Sequence, residues 1–179
     1  MLFRSNRFIE ILPFKETLFS WLGKTNNLTL QHVCIILRDI AKALCFLHEN
    51  DAKLVYFDMT DVLIEELEIH LKSRCIHARL SNLPWKYKLM NIDRDLSYDD
   101  VTTYSKIACE IGDILYSREM CGDAMCSDDL FQMFEDFIKY MCSNCGFITP
   151  FDIIKQPFLN SYSQECDCIQ DDDCSIVEC

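Results

Sequence analysis

The chain contains very few residues that form tight turns. Four glycines and four prolines occur among its 179 residues, whereas average usage would give about 12% for the two types together. A sandwich or barrel of many short strands needs turn residues at close and regular intervals. The scarcity of Gly and Pro therefore argues against such folds and favours long helices.

Three long helices are predicted from apolar residues that recur every three or four positions. The first follows a Thr29 N-cap, the second spans 101–115, and the third follows a Ser127 cap. A short helix is predicted at 17–22. Another is predicted from 149–152, where Thr, Pro and Asp occupy the N-cap, the first and the third helical positions.

Two segments alternate between apolar and polar residues and predict a β-hairpin. Its strands span 62–71 and 75–80, and residues 72–74 form the turn between them. A further short strand is predicted at 8–12 and a long loop at 84–100. Because two strands are not stable alone, the hairpin is expected to lie on the helices. The sequence thus predicts a mainly α fold with one small β-hairpin.

The charge of the chain bears on its partners. A formal net charge of −12 repels phosphate backbones and anionic lipids, so neither nucleic acid nor a membrane surface is an expected partner. The longest apolar runs, such as 33–37, are too short to cross a bilayer, and no targeting segment is recognised. A cytoplasmic location is predicted, with the nucleus left open. The 12 cysteines are then expected to be reduced.

Four cysteines have a spacing that is compatible with a metal site. Cys142-x-x-Cys145 together with Cys166-x-Cys168 is typical of zinc ligands. Cys142 fits the apolar face of the third long helix equally well, and the other pair lies in an acidic segment, 161–179, that is predicted to be a disordered tail. A zinc-binding interaction domain is therefore kept as an alternative to a metal-free chain.

The order of the elements, with one small hairpin between the first two long helices, resembles the C-terminal lobe of a protein kinase. The similar segments are 8–12 (the hinge strand), 17–22 (the helix after it), 39–50 (the helix before the catalytic loop), 62–64 (the strand after that loop), Ala-Arg-Leu-Ser-Asn-Leu-Pro at 78–84 (where kinases have Lys-Leu-Ser-Asp-Phe-Gly) and 148–159 (the closing helix of Ser/Thr kinases). The resemblance implies a kinase-like helical lobe over residues 1–160, followed by the tail at 161–179.

The resemblance also implies which residues would catalyse phosphoryl transfer. Asp58 takes the place of the catalytic Asp if the loop is two residues shorter than in kinases, and Asp61 then falls near the metal-binding Asn. Aligned without a gap, Tyr56 takes the place of the catalytic Asp. Asn82 stands where the metal-binding Asp of Asp-Phe-Gly would be, and a neutral amide is a weaker Mg²⁺ ligand than a carboxylate. Their local sequences favour a solvated loop acid at Asp58 and a turn at Asn82.

A nucleotide site is only partly implied. Glu10 and Leu12 occupy the hinge segment, whose backbone groups bind adenine in kinases; the alternative is an edge strand. Only seven residues precede Phe8, so the Gly-rich loop, the strand Lys and its Glu partner are not expected in this chain. No cofactor is therefore expected, and ATP and Mg²⁺ enter only if the chain is an enzyme.

The functional expectation follows from the absence of these nucleotide-binding groups and from the changes at the catalytic positions. The chain is predicted to be a kinase-like domain without catalytic activity that serves as a protein-interaction or scaffold module. The alternative is a Ser/Thr protein kinase whose nucleotide lobe is missing from this chain. The predicted interaction surface comprises residues 8–12 and an apolar rim at 54–57, through which a protein partner or a second copy would bind.

Overall fold

A computed structural model of the chain describes residues 16–50, 54, 57–69, 73–81, 99–119, 128–144 and 146–162. The elements in this part are β1 (Glu16–Thr17), α1 (Leu18–Lys24), α2 (Leu30–Glu49), β2 (Val62–Ile69), β3 (Ser73–Leu80), α3 (Asp99–Glu119), α4 (Asp128–Asn144), α5 (Pro150–Ile153) and α6 (Pro157–Asn160). The predicted mainly α fold with a small antiparallel sheet is confirmed. The predicted strand at 8–12 and most of the predicted loop at 84–100 lie outside the described residues.

Helix α2 forms the centre of the core. Thr29 caps it as predicted, because the threonine side chain accepts a hydrogen bond from the His32 backbone N–H at 3.2 Å. The whole run 33–37 is buried, and further along the helix the buried positions recur every three or four residues. A helix with such a wide apolar surface needs neighbours on several sides. Strand β3 and helices α3, α5 and α6 supply them.

The sheet has three antiparallel strands in the order β1-β2-β3. The hairpin pairs Val62 with Leu80 at one end and Ile69 with Ser73 at the other. Residues 73 and 74, which were predicted to lie in the turn at 72–74, therefore belong to strand β3. Backbone pairing continued beyond the residues whose apolar alternation marked the strand. The third strand, β1, was not predicted and pairs Glu16 with Ile64.

Helices α3 and α4 pack against each other and against α2, and α4 also packs against α6. Phe158 of α6 is fully buried, and its ring centroid lies 5.0 Å from that of Phe134 and 5.6 Å from that of Phe137. Tyr104 of α3 is also fully buried, and its hydroxyl donates to the Leu37 carbonyl of α2 at 3.0 Å. Burial raises the pKa of Tyr104 well above its usual 10.0. These contacts tie the second half of the chain to the central helix.

The described chain ends at Tyr162, two residues beyond the predicted domain boundary at 160. Its carbonyl accepts a hydrogen bond from the Arg38 guanidinium at 2.5 Å, and the Ser161 hydroxyl donates to the Phe158 carbonyl at 2.6 Å. Ser161 and Tyr162 therefore belong to the folded body. The predicted tail from 163 onwards lies outside the described residues. Among the described helices, none is long and apolar enough to cross a membrane.

The start of α5 yields a testable prediction about pH. The Asp152 carboxylate accepts hydrogen bonds from the Thr149 backbone N–H at 3.0 Å and from the Thr149 hydroxyl at 2.7 Å. These bonds hold the pKa of Asp152 below its ordinary 3.8. Asp152→Ala is expected to lower the free energy of unfolding by about 1 kcal/mol near neutral pH.

The pH dependence checks the cause of that loss. A depressed pKa contributes stability above the unfolded-state value of 3.8, and this contribution disappears as the pH falls through the folded-state value. Denaturant titrations of both chains are therefore expected to diverge at neutral pH and to converge in strong acid. A difference that persists undiminished in acid would show that the carboxylate charge does not stabilise the cap.

Candidate functional site

The predicted catalytic loop forms a tight turn just before β2. The Asp61 backbone N–H donates to the Asp58 carbonyl at 2.9 Å, which closes a four-residue turn over 58–61. On one side, the Phe19 N–H of α1 donates to the Met59 carbonyl at 3.2 Å. On the other, Ser81 at the end of β3 donates its N–H to the Asp61 carbonyl at 2.7 Å and its hydroxyl to the same atom at 3.0 Å. The turn is thus fixed between α1 and the hairpin.

The Asp58 carboxylate is bonded within this turn. Its Oδ1 accepts from the Thr60 backbone N–H at 2.7 Å and from the Thr60 hydroxyl at 2.5 Å. This arrangement is typical of Asp and Asn side chains that stabilise turns. The side chain is half-buried. A general base must reach the hydroxyl of its substrate at about 2.6–3.2 Å, and here the same oxygen already receives two donors from Thr60.

The Asp61 carboxylate points into the same turn. Asp61 is only 6% exposed, and its Oδ2 accepts from the Asp58 backbone N–H at 3.1 Å. Burial of a carboxylate is tolerated when local donors satisfy it. The structure therefore brings Asp58 and Asp61 into one turn, where both carboxylates accept hydrogen bonds from groups of the turn itself.

The other predicted site residues cannot be placed beside this pair. Glu10, Leu12 and Asn82 lie outside the described residues. The described part of the chain contains no group of three or more His, Cys, Asp or Glu side chains arranged to hold a metal ion. Of the predicted zinc ligands only Cys142 is described, and it is exposed, with its Sγ 3.5 Å from that of Cys109.

The predicted apolar rim at 54–57 needs a correction. Leu54 and Phe57 are each 2% exposed and belong to the core, whereas Val55 and Tyr56 lie outside the described residues. A strand-like run beside an open cleft was expected to expose these side chains, but the core of helices and hairpin covers Leu54 and Phe57. The exposed aromatic side chain next to this loop is instead that of Phe19, which is 62% exposed.

Two polar contacts join elements that are distant in the chain, and the sequence did not single them out. Asp100 is completely buried at the start of α3, and its Oδ2 lies 2.6 Å from the His48 Nε2 near the end of α2. Asp39 of α2 accepts the Ala78 N–H of β3 at 3.1 Å. Acids at helix ends or on a helix surface are usually solvated, so the sequence carried no signal for either contact beyond the presence of polar residues there.

Comparisons with known proteins add no relative. No protein-family model, curated protein or solved structure gives a significant match to this chain.

Proposed function

We propose that this chain is a kinase-like helical lobe that serves as a protein-interaction module without phosphoryl-transfer activity. The order of its elements supports the kinase-like part of this proposal. A short helix, a long central helix, a tight turn, a hairpin, two long helices and a closing pair of helical turns follow each other. This is the order that the sequence resemblance implies for the C-terminal lobe of a kinase.

The observation that carries the proposal is the bonding of the two acids in the 58–61 turn. Phosphoryl transfer requires a carboxylate that can orient the substrate hydroxyl and side chains that bind the metal. The Asp58 carboxylate receives both donors of Thr60, and the buried Asp61 carboxylate receives the Asp58 N–H. This bonding gives both acids a structural role. It favours a scaffold over an enzyme.

We propose that the interaction surface is the rim formed by Phe19 and the turn over 58–61. Phe19 exposes 62% of its surface although its backbone is bonded to the Met59 carbonyl. An aromatic side chain held on a rigid backbone loses little freedom on binding, which suits a contact residue. The predicted segment 8–12 precedes this rim in the chain and remains part of the proposed surface.

A concentration series tests this surface. If the rim mediates contact with a second copy, light scattering of the purified chain should show association, and Phe19→Glu should weaken it by about tenfold or more, as loss of a contact residue does. Phe147→Glu is the matched control, because Phe147 is 86% exposed and lies in the connection between α4 and α5. It should leave the association unchanged.

Two results would count against the surface. One is an unmodified chain that stays monomeric throughout the series. The other is equal weakening by both substitutions, which would indicate a general response to added charge. Because both phenylalanines are exposed, thermal melting should be nearly the same for the three proteins, and this comparison checks that the variants are folded.

A further inference from the structure

Two cysteines from neighbouring long helices face each other. Cys109 lies in α3 and Cys142 in α4, and their Sγ atoms are 3.5 Å apart. Cys142 is exposed, whereas Cys109 is half-buried behind it. The other two described cysteines, Cys34 and Cys45, lie in α2. Cys34 is buried, and its thiol donates to the Phe158 carbonyl.

The geometry of the pair suits a covalent link. A disulfide needs a sulfur–sulfur separation of about 2.0 Å, so the two Sγ atoms must approach by about 1.5 Å. Rotation about the side-chain bonds of two cysteines provides movements of that size without displacing a helix. The helices already pack against each other, and they are close enough that a Cβ added at Gly112 of α3 would touch the Phe134 ring of α4.

We propose that Cys109 and Cys142 form a two-thiol modification site that reacts with low-molecular-weight disulfides and closes into an intramolecular disulfide. In the first step the Cys142 thiolate attacks one sulfur of the small disulfide, forms a mixed disulfide and releases one small thiolate. In the second step the Cys109 thiolate attacks the Cys142 sulfur and releases the second small thiolate. Two protein thiols are oxidised to one disulfide, and the small disulfide is reduced to two thiols.

The order of the two steps follows from the environments of the sulfurs. Cys142 is the one that an external disulfide can reach, because it is exposed. Burial, followed by the neighbouring Cys142 sulfur and the charges of Asp113 and Glu110, raises the pKa of Cys109 to about 11. Once Cys142 is part of a mixed disulfide it no longer carries a negative charge, so ionisation of Cys109 becomes easier. Cys109 is therefore suited to the second, resolving step.

The link would fasten α3 to α4. The two cysteines are 33 positions apart in the chain, so the disulfide would restrict the unfolded chain by closing a loop of that length. For a chain of this size, the expected increase in melting temperature is about 8 °C. Oxidation would thereby convert a packed helix pair into a covalently fixed one.

The test uses the full chain, first reduced and then incubated with oxidised glutathione. After free thiols are blocked and the protein is digested with trypsin, the peptide spanning 107–118 should be found linked to the peptide spanning 140–155. Fragmentation of the linked pair should place the bond on Cys142 and not on Cys145. Cys45→Ser, the matched control in α2, should give the same linked pair and the same rise in melting temperature.

Cys142→Ser should lose both the linked pair and the rise in melting temperature, and its melting temperature in reducing buffer should equal that of the unmodified chain. The inference is overturned if Cys142 keeps one bound glutathione without closing on Cys109. A bond from Cys109 to Cys145, a bond between Cys142 and Cys145, or a link between two copies of the chain would overturn it as well.

Discussion

Asp100→Ala is expected to lower the free energy of unfolding by about 3 kcal/mol. Asp100 is completely buried, and its carboxylate binds His48 Nε2 at 2.6 Å and the Val101 backbone N–H at 2.9 Å. Removing it leaves the His48 ring, whose side chain is 11% exposed, without its carboxylate partner. Urea denaturation followed by circular dichroism measures the loss.

A double-mutant cycle separates the contact from simple loss of side-chain volume. If the contact accounts for the effect, Asp100→Ala should cost much less in a His48→Ala background than in the unmodified chain. Asp100→Asn, which keeps the size and one oxygen acceptor, should cost less than Asp100→Ala. Equal losses from Asp100→Ala in both backgrounds would show that the Asp100–His48 contact does not stabilise the fold.

Phe158→Ala is expected to have the largest effect on stability, about 4 kcal/mol. The Phe158 side chain is fully buried between the core and the rings of Phe134 and Phe137. Its removal leaves a cavity where α6 meets α4, and of the two fully buried side chains of α6, Phe158 and Leu159, it removes the larger. The same denaturation experiment gives the size of the loss.

The matched control is Phe147→Ala. Phe147 is 86% exposed, so the same truncation should change the free energy of unfolding by no more than about 0.5 kcal/mol. Phe158→Leu, which keeps much of the apolar volume, should fall between the two. A loss below about 1 kcal/mol for Phe158→Ala would contradict the placement of α6 in the core.

The helices could be predicted because local signals specify them. The spacing of apolar residues identified α2, α3 and α4, and Thr29 marked where α2 begins. Such signals lie within a few residues of the structure they produce. The short helix predicted at 17–22 ends later than expected, because α1 continues through Gly23 to Lys24. A single glycine weakens a helix without always ending it.

The sheet could be predicted only in part, since strand pairing depends on distant residues. Strand β1 has just two residues and carries no periodic pattern, and its pairing with β2 joins residues that are far apart in the sequence. The start of β3 was also misplaced, because Ser73 is polar and lies outside the apolar–polar alternation that marked the strand, although it pairs with Ile69. A periodic pattern of apolar residues shows which face of a strand is buried. It does not show where a two-residue strand such as β1 pairs, nor where a strand begins.

The candidate site shows the same limit. Asp58 and Asp61 are neighbours in the chain, so the sequence alone shows that they share a loop. It did not reveal that Thr60 bonds to one carboxylate and that the other is buried, which depends on the fold of the turn. The burial of Leu54 and Phe57 and the Asp100–His48 contact depend on elements that are distant in sequence.

Transfer of labelled phosphate from ATP is the most direct test of the proposed lack of catalysis. The full chain would be incubated with ATP and Mg²⁺ or Mn²⁺, with and without a generic Ser/Thr substrate, beside Asp58→Ala and Asp129→Ala. Asp129 is an exposed acid in the first turn of α4 and serves as the control. We expect no incorporation above background in any of the three proteins. Incorporation by the unmodified chain and by Asp129→Ala, but not by Asp58→Ala, would contradict the structural role assigned to Asp58 and identify the chain as an enzyme.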